Sequence, residues 1–152
     1  MPEPLPLVLD TSVLLKWFRQ GEILAGRALA LRDAYLDGRL ALAVPSLVAY
    51  ELANVLHYKA DLTVAQVRAA VDSLFDMGWE WVLPSRLVMG RAVEIARAYE
   101  TTVYDATFAA LAESLHATFV TADERLVCRL SALPFVRFLG ETGDVWMDRP
   151  VG

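Results

Sequence analysis

The sequence predicts an α/β protein: a three-layer α/β/α fold built on a central parallel sheet of about five strands. Two observations carry this expectation. Strand-like and helix-like segments alternate along the chain instead of falling into separate blocks, which is the pattern of βαβ units. Proline and glycine punctuate the junctions, with Pro6, Gly38, Pro45 and Pro84 each standing where one element should begin or end. No internal repeat, low-complexity stretch or linker interrupts the pattern, so residues 1–152 are expected to be one domain.

The elements follow in order. "PLVLD" (6–10) reads as the first strand, and an apolar helical pattern starts straight after Asp10. Leu24, Ala28, Leu31 and Tyr35 keep helical spacing up to Gly38, a residue suited to the position just past a helix end. "LALAV" (40–44) reads as the second strand, closed by Pro45, and a helix is expected from about Ser46 to Lys59. Thr63 and Gln66 have capping-box spacing, ahead of a helix with Val64, Val67, Val71 and Leu74 on one face. "WEWVL" (79–83) alternates like a strand and stops at Pro84; Ser85 can cap a helix carrying Val88, Ala92, Ile95 and Tyr99. "YDATFAALAESLHA" (104–117) is a helix almost entirely apolar on one side. "TFVT" (118–121) is a short strand, "DERLVCRL" a helix, "FVRFL" (135–139) the last strand, and the last dozen residues a tail or edge segment.

A chain of 152 residues can bury roughly 68–70% of its unfolded surface, so it needs no covalent staple. One cysteine, Cys128, excludes an internal disulfide framework and fits a reducing compartment. The opening "MPEPLPLVLD" lacks a basic region and a long apolar core, and no apolar run approaches a bilayer span. A soluble, cytoplasmic protein is expected. The hydrophobic fraction of 56% exceeds ordinary usage. That surplus points to apolar surface buried against another chain, by self-association or a protein partner. The net charge of −5 argues against a nucleic-acid partner, which usually demands a basic surface.

Four acids weaken that objection. Asp10 ends the first strand and Asp123 follows "TFVT", so both stand where open parallel sheets bind ligands. Each is also what a helix N-cap requires. Asp105 opens its helix, on the same side as Phe108, Ala109 and Ala112; a first-turn acid also suits the helix dipole. Glu51 lines up with Leu47, Val48 and Val55, an acid on a stripe that should face the core or its edge. If the four converge, two carboxylates ~4 Å apart repel by about 4 kcal/mol at an effective dielectric of ~20. Either their pKa values rise or a divalent cation binds. An all-oxygen donor set suits Mg²⁺ or Mn²⁺, with Ca²⁺ a weaker fit; zinc is disfavoured with one cysteine and two distant histidines. Such an ion with open positions is an apparatus for phosphoryl chemistry. Without the four acids the charge balance is 14 basic against 15 acidic residues.

Together "LVLDTSVLLKWF", "LVAYELANVL", "YDATFAALAES" and "FVTADERLV" resemble the PIN-domain family, and in particular the VapC-type ribonuclease toxins of prokaryotic toxin–antitoxin pairs. The likeness runs from residue 7 to about 138, and it is the order and spacing of the four stretches, not any one of them, that is specific. The resemblance implies a parallel α/β sheet with its acids at one edge. It carries the family's catalytic and metal-binding acids onto Asp10, Glu51, Asp105 and Asp123, and orienting hydroxyls onto Thr11 or Ser12 and Thr121. It further implies endonucleolytic cleavage of single-stranded or loop RNA by metal-activated water with Mg²⁺ or Mn²⁺, a homodimer, and a cognate antitoxin whose tail blocks the cleft.

Other residues read more simply as structure. Lys16, Arg19, Arg86 and Arg91 are expected to be solvated helix flanks, not phosphate contacts. Trp17 and Phe18 read as packing, and Trp79, Trp81 and Trp146 as core or interface. Cys128, in an apolar helical pattern, is expected to be buried and inert. His57 and His116 lack a nucleophile at a readable spacing, so a Ser–His–Asp enzyme is not supported. Two alternatives stand beside the ribonuclease. A phosphotransfer or phosphatase domain would want an acid two residues after Asp10, where Ser12 stands, and a lysine after the last strand, where there is none. A catalytically inert PIN-like protein-binding module would not need the complete acid set.

Overall fold

The computed structural model describes residues 3–19 and 21–141. Among them, five strands form one sheet: β1 (Leu5–Leu9), β2 (Leu40–Pro45), β3 (Glu80–Val82), β4 (Thr118–Thr121) and β5 (Val136–Phe138). Every pairing is parallel and the order is β3-β2-β1-β4-β5. Parallel neighbours need crossovers, and helices supply them. These are α1 (Thr11–Leu15), α2 (Ala25–Leu36), α3 (Leu47–His57), α4 (Val64–Phe75), α5 (Arg86–Tyr99), α6 (Val103–Ser114) and α7 (Glu124–Arg129). The result is the expected α/β/α arrangement, with helices flanking an all-parallel sheet.

The chain steps outward from β1 through β2 to β3, then crosses back to lay β4 and β5 on the other side of β1. Strand order therefore reverses between β1 and β4. In such sheets the crevice at the carboxyl ends of the two diverging strands is where ligands bind. Register sets what stands there. Leu9 pairs with Val120, and the Asp10 amide donates to the Val120 carbonyl at 2.9 Å, so Asp10 sits beside Thr121 at the sheet's edge.

β1 is apolar at Leu7, Val8 and Leu9 because helices cover both its faces, and all three are buried. Helix α6 lies against β1, β2 and β4 on one side and α5 on the other. Residues from Ala106 through Ala112 are consequently all buried, and the alanines among them let α6 approach its neighbours closely. Phe108 of α6 stacks on Phe119 of β4, with ring centroids 5.8 Å apart and planes at 16°. That contact fixes α6, and with it Asp105, against the strand leading to Asp123.

The local signals act as expected at several ends. Thr63 and Gln66 close a reciprocal capping box, Ser85 accepts from the Val88 amide, and Gly38 takes φ +78° just past α2. Trp79 is buried and Trp81, half-buried, stacks on Phe75. Trp17 is half-buried, its indole N–H donating to the Ala28 carbonyl at 2.8 Å, which makes it packing. The α4 stripe is only partly covered: Leu74 is buried, Val67 and Val71 half-buried, and Val64 exposed at the helix start.

One expectation is corrected. Cys128 is a free, exposed thiol. Helix α7 has six residues, and it turns Leu126 and the following Leu130 inward. Cys128, two residues from each, points away from that face. Trp146 and the remainder of 142–152 lie outside the described residues. Among the described residues no helix is long and apolar enough to cross a membrane.

Candidate active site

Asp10 occupies the position before α1 where a cap would be, yet its side chain makes no capping hydrogen bond. Its carboxylate is buried and turned toward β4. Oδ2 accepts from the Ser12 hydroxyl at 2.6 Å and from the Thr121 hydroxyl at 2.9 Å. Ser12 Oγ in turn accepts from the Ala122 amide at 3.0 Å, and Thr121 Oγ1 from the Asp123 amide at 3.1 Å. The two hydroxyls thus aim Asp10 and tie the β1–α1 turn to the β4–α7 turn. Burial pushes the Asp10 carboxyl above its usual range; the Ser12 and Thr121 hydroxyls oppose the shift, and the charge on Asp105 adds to it.

Glu51 sits half-buried in the middle of α3, on the helix side that faces α1. Thr11 Oγ1 donates to its Oε1 at 2.8 Å. Burial raises its pKa as well, opposed by Thr11 and reinforced by the charges of Asp10 and Asp105. Asp105, in the first turn of α6, is half-buried, and Thr102 caps that helix by accepting the Asp105 amide at 3.0 Å. Its carboxyl is raised first by burial and then by the charge of Asp123, with the Thr102 hydroxyl opposing. Asp123 is exposed and serves as the N-cap of α7: its Oδ1 accepts from the Arg125 amide at 3.0 Å and the Leu126 amide at 3.2 Å.

The four acids therefore share the carboxyl edge of the sheet, with Asp105 electrostatically linked to the other three. None of them forms an ion pair with a lysine or arginine among the described residues. Mutually repelling carboxylates, one buried, two half-buried and one exposed, with oxygen donors alone and no cationic side chain fit a hard divalent ion. They do not form a ready cage: among the described residues no three His, Cys, Asp or Glu side chains are arranged to hold a metal ion. Uncompensated repulsion among the four carboxylates opposes a closer approach. Asp105 and Asp123 also line an open cavity of about 390 Å³, together with Glu100, Thr101, Thr102, Arg125 and Arg129.

All four acids and the three hydroxyls read from the sequence are here, with Thr11 engaging Glu51 and Ser12 engaging Asp10. Lys16, Arg19 and Arg91 are paired with Glu22, with Asp61 and Glu22, and with Glu113 and Glu94; Arg91 is a solvated flank as expected, whereas Lys16 and Arg19 are mostly covered. Sequence reasoning missed Thr102, which its spacing three residues before Asp105 would have shown. It also missed Arg125 and Arg129, two and six residues beyond Asp123 on a helix too short for periodicity to speak.

Comparison with known proteins fits this architecture. The family model for the PIN domain matches residues 7–132. No curated protein matches the chain. Among solved structures, a toxin–antitoxin complex from Klebsiella pneumoniae superposes with a TM-score of 0.66 at 17% identity, covering 89% of this chain and 98% of that one. VapC20 of Mycobacterium tuberculosis, a sarcin–ricin loop cleaving toxin, gives 0.64 at 18%, covering 86% and 96%. VapBC2 of Rickettsia felis, bound to a DNA fragment from its promoter, gives 0.64 at 17%, covering 88% and 97%. At such identities the superpositions speak to fold.

Proposed function

Because this chain belongs to the PIN-domain family, we propose that it is a metal-dependent endoribonuclease, the toxin of a type II toxin–antitoxin pair. The observation that carries the reading is the set of four carboxylates at the β1/β4 crevice, three raised by burial and repulsion and none with a cationic partner among the described residues. A Mg²⁺ or Mn²⁺ held by Asp10, Glu51, Asp105 and Asp123 would polarise the scissile phosphate and lower the pKa of an attacking water.

The chain's own residues prepare that chemistry. Ser12 and Thr121 orient Asp10, Thr11 orients Glu51, and the α7 amides orient Asp123, so three of the four donors are positioned before anything binds. Asp105, rising from the first turn of α6, contributes the remaining donor and interacts electrostatically with the other three acids. The substrate is single-stranded or loop RNA, whose unpaired phosphates reach a recessed edge more easily than those of a duplex. Exposed Tyr50, Phe75, Leu83, Leu87 and Tyr104 leave apolar surface for an antitoxin and a second copy of the chain. The seat of action is the cytoplasm, where its RNA is found.

The test is cleavage of a mixed single-stranded RNA pool by purified protein in Mg²⁺, Mn²⁺ or EDTA, beside Asp10→Asn and Asp105→Asn. Metal-dependent cutting, lost in both variants, is expected. Calorimetry with Mn²⁺ guards against a pool that lacks the target: a folded wild type that takes up no ion sinks the shared-site reading and leaves a binding module. Light scattering of the same sample tests the dimer.

A further inference from the structure

We propose that the cavity beside Asp105 and Asp123 is a phosphate-binding subsite for the RNA strand, with Arg125 contacting a backbone phosphate next to the scissile one. The inference rests on the nuclease reading above and adds a substrate-positioning residue to it.

The physical need comes first. A chain of net charge −5, whose reacting edge carries four acids, repels a polyanion on balance. An ion can serve the scissile phosphate, but the neighbouring phosphates require cationic side chains from the protein. Most arginines of the described structure are already committed. Arg19 pairs with Asp61, Arg32 with Asp33, Arg39 with Asp37, and Arg91 with Glu113 and Glu94. Arg68, Arg86, Arg97 and Arg125 have neither an ion-pair nor a hydrogen-bond partner for their guanidinium among the described residues, and of these four only Arg125 lines the cavity, two residues from Asp123.

Its surroundings keep it available. The Asp123 carboxylate that could have captured it already accepts the Arg125 and Leu126 amides through Oδ1. Arg129, one helical turn on and on the same side of α7, donates to the Glu100 carbonyl. Glu100 closes α5 in a left-handed conformation, φ 56°, at the turn into α6. That bond joins the far end of α7 to the α5–α6 turn, linking the two walls of the cavity. A planar, forked guanidinium on α7, with Asp123 at the head of the same helix and Asp105 on the facing α6 wall, suits a phosphodiester backbone passing between them.

The experiment uses the full chain. Binding of a fluorescent single-stranded RNA is measured by anisotropy with Ca²⁺ present, and cleavage is followed with Mg²⁺ or Mn²⁺. Arg125→Ala is expected to weaken binding and raise KM by about tenfold at low salt, with kcat within about twofold of wild type. The slope of log affinity against log salt should fall by about 0.7, the share of one phosphate contact on a single strand. Arg125→Lys should restore part of the affinity. Arg39→Ala, the same charge change at the opposite edge of the sheet, should leave affinity and slope at wild-type values. If wild type binds and cuts RNA while Arg125→Ala matches it in affinity, KM and salt slope, the subsite is overturned and the nuclease stands. A folded wild type that neither binds nor cuts RNA overturns both.

Discussion

The hydroxyl of Thr11 donates to Oε1 of Glu51 at 2.8 Å, joining the residue that follows the β1 edge to the middle of α3 across 40 positions of sequence. This contact explains how an acid is kept on an otherwise apolar helix stripe. Thr11→Val keeps the shape and removes the donor, leaving a half-buried carboxylate oxygen without that partner. We expect a loss of about 1–2 kcal/mol in stability. Mn²⁺ affinity should fall between about ten- and a hundredfold, the usual effect of deleting a group that orients a ligand. Urea unfolding and calorimetry read the two; an unchanged Mn²⁺ affinity would mean that Glu51 is not a ligand.

The raised carboxyls make metal-free stability depend on pH in a direction opposite to that of a protein held by salt bridges. Asp10, Glu51 and Asp105 all have folded values above their references, 3.8 for Asp and 4.5 for Glu. Between the unfolded and folded values the folded state binds more protons, so stability falls as pH rises through that window. The exposed Asp61, lowered by Arg19, works in the other sense but in full contact with water. In EDTA the melting temperature should fall as pH rises from the reference values, 3.8 and 4.5, towards neutrality, and saturating Mn²⁺ should reverse the trend. A melting temperature that climbs with pH in EDTA would show that the three acids do not dominate.

From the same cause, Asp10→Asn should stabilise the metal-free protein at neutral pH while abolishing cleavage. It removes a buried charge that has only hydroxyls for company, and Ser12 and Thr121 can still bond to an amide. A gain of about 0.5–2 kcal/mol is the size typical when a functional residue strained in the folded state is replaced. A clear loss of stability by thermal and denaturant unfolding would mean that the Asp10 carboxylate is structural first.

What the sequence revealed and what it hid have a common physical explanation. All five strands were placed within about a residue: β1 and β2 as apolar runs beside proline, as expected where helices cover both faces of a parallel sheet, and the edge strand β3, which carries the exposed Glu80, by its alternation before Pro84. The acids were legible because Glu51 breaks an apolar stripe and Asp10 ends a strand. Whether Asp10 caps its helix was not legible. Its real partner besides Ser12 is Thr121, 111 positions away, and only the β1–β4 register brings them together. The short α7 misled over Cys128 and concealed Arg125, since six residues give too few turns to tell an inward from an outward side.

The exposure of Cys128 is itself testable. A maleimide should modify the single thiol of the folded protein at a rate close to that of a denatured control, with the far-UV spectrum unchanged. Protection by more than about a hundredfold would return Cys128 to the interior, because reaction would then need local opening.

Phe108 carries the mechanical load of the site. It is fully buried and stacks on Phe119, pressing the helix that bears Asp105 onto the strand that leads to Asp123. On the outer side of α6, Arg91 grips Glu113 through two hydrogen bonds, at 2.7 and 3.3 Å, but both side chains are more than a third exposed. Packing should therefore outweigh charge. Phe108→Ala is expected to cost about 3–5 kcal/mol, the transfer loss plus the cavity left behind. Arg91→Ala should cost at most about 1 kcal/mol after solvent screening. Of the two, only Phe108→Ala should also weaken Mn²⁺ uptake at temperatures where the variant is still folded, since it loosens Asp105 against Asp123. Equal costs in denaturant unfolding, or an Arg91→Ala variant that loses the ion while Phe108→Ala keeps it, would place the anchor of α6 on α5 and not on the sheet.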